Sequence, residues 1–211
     1  MTETMTTNTA PRSKFTTRML VEGALMVALA AVLSLITPFH RIFPFGGSVT
    51  LLSMLPICLY SIKYGVKYGL GVAFVYSLLQ LAEGIFLEGL FSWGLTPVML
   101  IACILLDYII AYTVLGTAGV FRRKGLPGQI GGILLSLFCR FVSHFISGVV
   151  VFASAGKIWD ELDFVADNKY IYSAAYNGGY MLPEMVFTAV GAVILLGQPQ
   201  LRKLFAPVDD K

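Results

Sequence analysis

The sequence predicts an all-α integral membrane protein, folded as a compact bundle of six transmembrane helices. The 211-residue chain is 57% hydrophobic and only 13% charged, and its mean hydropathy of +0.79 is too high for a soluble domain of this size. The apolar residues form six runs bounded by charged residues, Gly and Pro. The basic residues are concentrated in alternate loops, which is typical of membrane proteins.

Six helices account for nearly all of the chain, because crossing the apolar core of a bilayer takes roughly 20 residues of helix. We interpret residues 1–16, which are polar and rich in Thr, as a disordered cytoplasmic tail, and residues 17–205 as one transmembrane domain. The predicted helices span residues 17–37, 49–63, 66–82, 97–121, 128–155 and 171–196.

The second and third runs are short and are joined by SIKYGVKYG, which we interpret as the turn of a helical hairpin. The outer loops are longer, at about residues 38–47, 83–96 and 156–169, and they are rich in aromatic residues. Such residues either anchor the membrane interface or line the entrance to a ligand site.

The distribution of charge predicts that both termini are cytoplasmic, since short loops rich in Lys and Arg stay on the cytoplasmic side. The opposite loops hold three basic residues and six acids. The basic residues assigned to the cytoplasmic side are Arg12, Lys14, Arg18, Lys63, Lys67, Arg122, Arg123, Lys124, Arg202, Lys203 and Lys211.

Ionisable side chains inside a membrane are costly, so each one is a candidate functional residue. At a helical rise of about 1.5 Å per residue, Asp107, His144 and Asn177 all lie roughly 10–17 Å from the outer ends of their helices. The sequence therefore predicts that these three residues share one layer. Tyr172 lies above this layer, closer to the mouth.

A second, deeper layer contains Arg140 and Glu184, both roughly 21–23 Å from the outer boundary. Arg140 and His144 are four residues apart and lie on one face of the fifth helix, which must point into the bundle. We predict an ion pair between Arg140 and Glu184, which acts either as a strut between helices or as a ligand contact, and we favour the strut.

The upper layer is typical of a pocket for a small, planar, cationic heteroaromatic ligand. The carboxylate of Asp107 would balance the positive charge, and the amide of Asn177 would orient the ligand. Aromatic faces would stack on the ligand or make cation–π contacts with it. The aromatic candidates in this region are Tyr108, Phe145, Phe152 and Tyr176.

Several segments of the sequence resemble the substrate-binding S component of an energy-coupling-factor (ECF) thiamine transporter of bacteria. The resemblance covers nearly all of the chain and is most specific in HFISGVVVF (144–152) and YSAAYNGG (172–179). It also includes EGALMVALAAVLS (22–34) and the Asp107-Tyr108 pair. The resemblance implies that Asp107, His144, Tyr172 and Asn177 surround the vitamin.

Two positions depart from the usual pattern of that family. Asp107 stands where the family commonly has Glu, and Phe152 stands where it commonly has Trp. We therefore expect aromatic stacking to be weaker or to be supplied by Trp159 or Tyr76. Related pyrimidines or thiamine precursors remain alternative ligands.

The first helix carries Ala24 and Ala28, a small-xxx-small pair that allows close approach of another helix. By itself this spacing is compatible with packing inside the bundle. The resemblance implies instead that this face contacts a transmembrane coupling subunit, which works with two ATPase subunits.

The sequence contains no P-loop, so we expect the energy for transport to come from those ATPase partners. A proton-coupled secondary transporter that uses Asp107 and His144 is the alternative. An enzyme is not expected, because no nucleophile or metal set accompanies the two residues. The three Cys residues lie in apolar runs without ligand spacing, and no basic stripe indicates nucleic acid, so no cofactor, metal or nucleic acid is predicted.

Overall fold

The computed structural model describes residues 16–36, 47, 49–154, 156–158 and 165–208, apart from the side chain of Lys157. A two-residue antiparallel ladder links β1 (Gly156–Lys157) and β2 (Val165–Ala166) between the last two long helices. The helices are α1 (Thr17–Ser34), α2 (Leu55–Tyr64), α3 (Val66–Phe86), α4 (Pro97–Phe121), α5 (Gly125–Phe152), α6 (Lys169–Gly197) and the short α7 (Pro199–Leu204).

The predicted class, an all-α membrane bundle, is confirmed, and in the described residues six helices precede the short α7. Within the described ranges, five helices are long and apolar enough to cross a membrane: α1, α3, α4, α5 and α6. The predicted tail, residues 1–16, lies outside the described residues except for Thr16. Thr16 caps α1, because its side chain accepts a hydrogen bond from the backbone N–H of Met19.

The prediction for the second helix was wrong at its start. Helix α2 begins at Leu55 rather than at residue 49 and has only ten residues, all of them buried. Pro56 lies in its first turn, where the missing N–H costs nothing, and Leu52 just before it has a left-handed backbone with φ of 62°. Helix α2 is therefore a short element packed inside the bundle.

The predicted hairpin between α2 and α3 is confirmed. Gly65 alone separates the two helices and has a φ of 88°, a backbone conformation that L side chains rarely adopt. Helix α3 continues to Phe86, four residues beyond the predicted end, and so includes Glu83 within the helix. There Glu83 accepts hydrogen bonds from the Ser34 hydroxyl (2.8 Å) and the Gln80 amide (2.8 Å).

Helices α2, α3 and α4 approach one another closely at the end of the bundle that carries Lys63. A Cβ on Gly116 would lie 2.4 Å from the backbone nitrogen of Leu70, so only Gly fits there. The hydroxyl of Ser61 donates to the carbonyl of Gly116 (2.5 Å) and accepts from the backbone N–H of Gly119 (3.0 Å). These contacts satisfy polar groups that lipid cannot.

Basic side chains gather at this same end, which we call the basic end. Glu22 accepts hydrogen bonds from Lys63 (2.6 Å), Arg18 (2.8 Å) and the Tyr64 hydroxyl (2.8 Å). Arg122 donates to the carbonyl of Lys63 (3.1 Å), and the backbone N–H of Val208 donates to the same oxygen (2.8 Å). The C-terminal segment is thereby attached to the α2–α3 turn.

Helices α4 and α5 each contain a π-helical segment, in which the turns are wider than in an α-helix. In α4 it covers Ile104–Ile110, and in α5 it covers Gly148–Phe152, where the helix ends at Ala153 with a left-handed backbone. Such segments are often found at functional sites. Here they contain Asp107, Tyr108 and Phe152, three of the predicted site residues.

Candidate functional site

The centre of the site is a contact between α4 and α5. The Asp107 Oδ1 atom lies 2.9 Å from His144 Nδ1. The other oxygen, Oδ2, accepts hydrogen bonds from the hydroxyl of Ser147 and from the thiol of Cys103, the latter at 3.2 Å. Both oxygens of the carboxylate are thus bonded to protein groups, and Asp107 is not a bare charge in the membrane.

The other ring nitrogen of His144 is in a different situation. Its Nε2 atom is buried and has no hydrogen-bond partner among the residues that the structure describes, and the residue as a whole is only 8% exposed. The imidazole makes an edge contact with the ring of Tyr180, with ring centroids 6.0 Å apart. A buried polar atom without a partner is costly, so Nε2 is the atom of this site most suited to a ligand hydrogen bond.

Asn177 on α6 joins the same layer from the opposite side. Its Nδ2 atom donates to the carbonyls of Ser173 (2.9 Å) and His144 (3.3 Å), and its Oδ1 atom accepts from the hydroxyl of Tyr180 (2.8 Å). Gly148 allows α5 and α6 to approach here, because a Cβ on it would lie 2.2 Å from the hydroxyl of Ser173. The structure therefore brings Asp107, His144 and Asn177 together.

Aromatic side chains surround this layer toward the outer end of the bundle. The half-buried ring of Tyr172 is stacked on that of Tyr176, with centroids 6.0 Å apart and planes 13° from parallel. Phe152 lies 6.1 Å from the ring of Trp93, which comes from the α3–α4 loop. Trp159, which the sequence suggested as a source of stacking, lies outside the described residues.

Tyr108 and Tyr76 occupy different positions. Tyr108 is buried beside Asp107, where the absence of a side chain at Gly84 makes room for its hydroxyl, which donates to Glu88 (3.3 Å). Tyr76 is fully buried in the main apolar core, with its ring edge-on to that of Tyr112 at a centroid distance of 5.5 Å. The structure does not bring Tyr76 into contact with the Asp107 layer through any hydrogen bond or ring contact among the described residues.

The deeper layer contains an ion pair. Arg140 Nη1 lies 2.9 Å from Glu184 Oε2, and both side chains are buried. The guanidinium also donates to the hydroxyl of Tyr112 (3.0 Å) and lies over its ring, while Thr50 donates to Glu184 through both its backbone N–H (3.3 Å) and its hydroxyl. The pair therefore links α4, α5, α6 and the segment before α2.

Several residues of the site were not identified from the sequence. Ser147 lies one turn after His144 on α5, and Cys103 one turn before Asp107 on α4, so helical spacing alone placed both beside a known candidate. Tyr180 likewise lies one turn after Asn177 on α6, and its hydroxyl donates to that residue. Trp93, in the α3–α4 loop, carried no such signal.

Two further observations bear on what the chain can bind. Ala24 and Ala28 are exposed on the outer face of α1, so they do not contribute to packing inside the bundle. Within the described ranges, no three His, Cys, Asp or Glu side chains come together as a metal site. The site thus offers one carboxylate, one imidazole, one amide and several aromatic rings.

The family model described as thiamine transporter protein (Thia_YuaJ) matches residues 20–204 of the chain. The chain is 32% identical over 197 residues to the thiamine transporter ThiT of Bacillus subtilis (strain 168), a match that covers 87% of this chain and 93% of that protein. It is 28% identical over 162 residues to ThiT of Lacticaseibacillus paracasei, covering 70% of this chain and 73% of that protein.

A solved structure of ThiT from Listeria monocytogenes has a similar fold, with a TM-score of 0.65 at 22% sequence identity. The similarity covers 90% of this chain and 98% of that one. The two chains thus share a fold over most of their length, and the family model covers the same helices. The chain therefore belongs to the thiamine transporter protein family, a family of transporters rather than enzymes.

Proposed function

We propose that the chain binds thiamine from the extracellular side, as the substrate-specific subunit of an ATP-driven ECF vitamin importer. The observation that carries this proposal is the Asp107–His144 pair, with a buried imidazole Nε2 atom free to bond a ligand, in a member of the thiamine transporter family. Membership in that family favours thiamine itself over related pyrimidines, which remain the alternative ligands.

The chemistry of the site suits a small aromatic cation. In a medium of low polarity, a carboxylate attracts a cation over several ångströms. Asp107 can therefore balance the positive charge of thiamine even though its oxygens are hydrogen-bonded to His144 and Ser147. The rings of Tyr172, Phe152 and Tyr108 lie around this charge and offer stacking or cation–π contacts. We assign Trp93 to the same aromatic group, because it is packed against Phe152. It supplies an indole near the position where the family commonly has Trp.

We assign Arg140 and Glu184 to a structural role. The Glu184 carboxylate and both terminal nitrogens of the Arg140 guanidinium are bonded to protein partners, and the pair joins the helices that carry His144 and Asn177. The Nε atom of Arg140 is buried without a hydrogen-bond partner among the described residues. A paired charge in the interior is tolerated, whereas either charge alone is strongly destabilising.

We further propose that the basic end faces the cytoplasm, with both termini there. Its gathered basic side chains, including Arg18, Lys63 and Arg122, support this orientation. The exposed Ala24 and Ala28 on α1 would contact the transmembrane coupling subunit, through which two ATPase subunits supply energy.

The first prediction concerns the ligand. Calorimetric titration of the purified protein should show tight binding of thiamine, and weaker binding of pyrimidine precursors. Asp107→Asn and Asn177→Ala should each weaken thiamine binding by at least about tenfold, because each removes a group that fixes charge or geometry in the upper layer. Asp167→Asn, the same change at an exposed acid beyond the ladder, should leave affinity unchanged.

Absence of binding by the wild-type protein to thiamine and to every pyrimidine tested would contradict the ligand assignment. Unchanged affinity in Asp107→Asn would show that its charge does not act on the ligand.

The second prediction separates the two layers. Glu184→Gln should lower the free energy of unfolding by about 3–5 kcal/mol, because it leaves the Arg140 guanidinium buried without a counter-charge. His144→Gln should reduce thiamine affinity while leaving the thermal midpoint nearly unchanged. Thermal denaturation and calorimetry on both variants provide the measurement, and the reverse pattern would contradict the division of roles.

The third prediction tests coupling. Ala24→Trp and Ala28→Trp should abolish thiamine uptake while leaving thiamine binding intact, since a large side chain blocks the approach of a partner helix. Val190→Trp, at an exposed position on α6, is the matched control and should support normal uptake. Uptake should require the ATPase subunits and survive a protonophore. Uptake without those subunits that collapses with the proton gradient would instead indicate the secondary transporter.

The fourth prediction tests orientation. In whole cells, a membrane-impermeant maleimide should label Asp167→Cys, at the outer end, but not Arg202→Cys, in α7 at the basic end. The wild-type protein is the background control, because its Cys residues lie within the apolar helices. Labelling at position 202 alone would reverse the proposed topology.

A further inference from the structure

Asp107 is held by two helices at once. Its Oδ1 atom lies 2.9 Å from His144 Nδ1, and its Oδ2 atom accepts from Ser147 Oγ and from Cys103 Sγ. His144 and Ser147 are three positions apart on the buried face of α5, and each is hydrogen-bonded to a different oxygen of the carboxylate. We call this set of Asp107, His144 and Ser147 the carboxylate clamp.

Within the carboxylate clamp, His144 Nε2 is the atom left available to bond a ligand. When Nδ1 of a neutral imidazole donates to a carboxylate, the tautomer and the ring orientation are fixed, and Nε2 becomes an acceptor. In the described structure that Nε2 atom is buried and has no protein partner. The order of contacts therefore runs from the carboxylate, through the imidazole, to the ligand.

The three Ser residues of α5 make different hydrogen bonds. A helical Ser commonly donates to a carbonyl three or four residues earlier, as Ser136 does to Ile133 O (2.7 Å). Ser143 donates to a backbone carbonyl of α4, that of Leu106 (2.6 Å), whereas Ser147, which is 0% exposed, donates to the side-chain carboxylate of Asp107. A hydroxyl committed to a carboxylate in this way fixes the carboxylate rather than the helix.

We propose that Ser147 is a positioning residue of this site, acting on the ligand through Asp107 and His144. The inference rests on the proposed function as a thiamine-binding site. Asp107 is one methylene shorter than Glu, and the hydroxyl of Ser147 holds this shorter side chain against α5. The imidazole is then held with Nε2 directed at a ligand amino or hydroxyl group, which donates to it.

A double-mutant cycle with thiamine as the probe tests this order of contacts. Ser147→Ala should weaken thiamine binding by about tenfold in the wild-type background, because the carboxylate and the imidazole lose their fixed orientation. In the His144→Ala background the same change should weaken binding by less than about twofold, since the group through which Ser147 acts is gone. Ser136→Ala is the matched control, a buried Ser on α5, and should leave affinity unchanged in both backgrounds.

Equal weakening by Ser147→Ala in the two backgrounds would overturn the inference while leaving thiamine binding itself established. So would unchanged affinity in the wild-type background. Failure of the wild-type protein to bind thiamine would overturn the proposed function and the inference with it.

A second variant covers the case in which Ser147→Ala does not fold. Ser147→Cys is close in shape to the wild type and keeps a weaker hydrogen-bond donor, so its affinity for thiamine should lie between those of the wild type and Ser147→Ala. If Ser147→Ala does not fold, the affinity of Ser147→Cys should be about threefold below that of the wild type. Its effect should also vanish in the His144→Ala background. An effect of the same size in both backgrounds would contradict the proposal for this variant as well.

Discussion

The rest of the bundle depends on one constraint, the burial of Arg140 and Glu184 in the apolar interior. Neither charge is tolerable there alone, and together they need further donors and acceptors. Tyr112 and Met54 accept hydrogen bonds from the two terminal guanidinium nitrogens, and Thr50 donates to the Glu184 carboxylate. The rotation and depth of α5 and α6 are thereby fixed relative to each other. His144 lies one turn above Arg140 on α5, so the ion pair in the lower layer also fixes the position of His144 in the upper layer.

The upper layer shows how such a scaffold can hold a site without exposing bare charge. Both carboxylate oxygens of Asp107 have partners on α5, and the amide nitrogen of Asn177 donates to the carbonyl of His144 on that helix. The Oδ1 atom of Asn177 accepts from Tyr180 on its own helix. Asp107 lies within the wide turn at Ile104–Ile110, and the wide turn at Gly148–Phe152 begins directly after Ser147. Ser143 adds a link, donating to the carbonyl of Leu106 (2.6 Å) inside the first of these segments. Imidazole Nε2 is the exception, and it is the atom that the proposed function uses.

The sequence was sufficient for the all-α class and for the approximate positions of the five long helices, because long apolar runs bounded by charge, Gly and Pro are typical of membrane spans. It also brought the charged residues to matching depths, because the rise per residue is nearly constant in a helix. It was not sufficient for α2, since an apolar run looks the same whether it is helical or irregular, and residues 49–54 are irregular. Nor does depth fix which way a side chain points around its helix. Tyr76 was therefore considered for the site and is instead found in the core.

The attachment of the C-terminal segment has a consequence for synthesis of the chain. Phe205 is buried with the main apolar core, and Val208 is hydrogen-bonded to the carbonyl of Lys63. Both residues follow α6 in the chain, whereas the α2–α3 turn that receives them is made much earlier. The basic end is therefore completed only after synthesis of α6 and α7, and until then Arg122 is the partner from this end that can bond the carbonyl of Lys63.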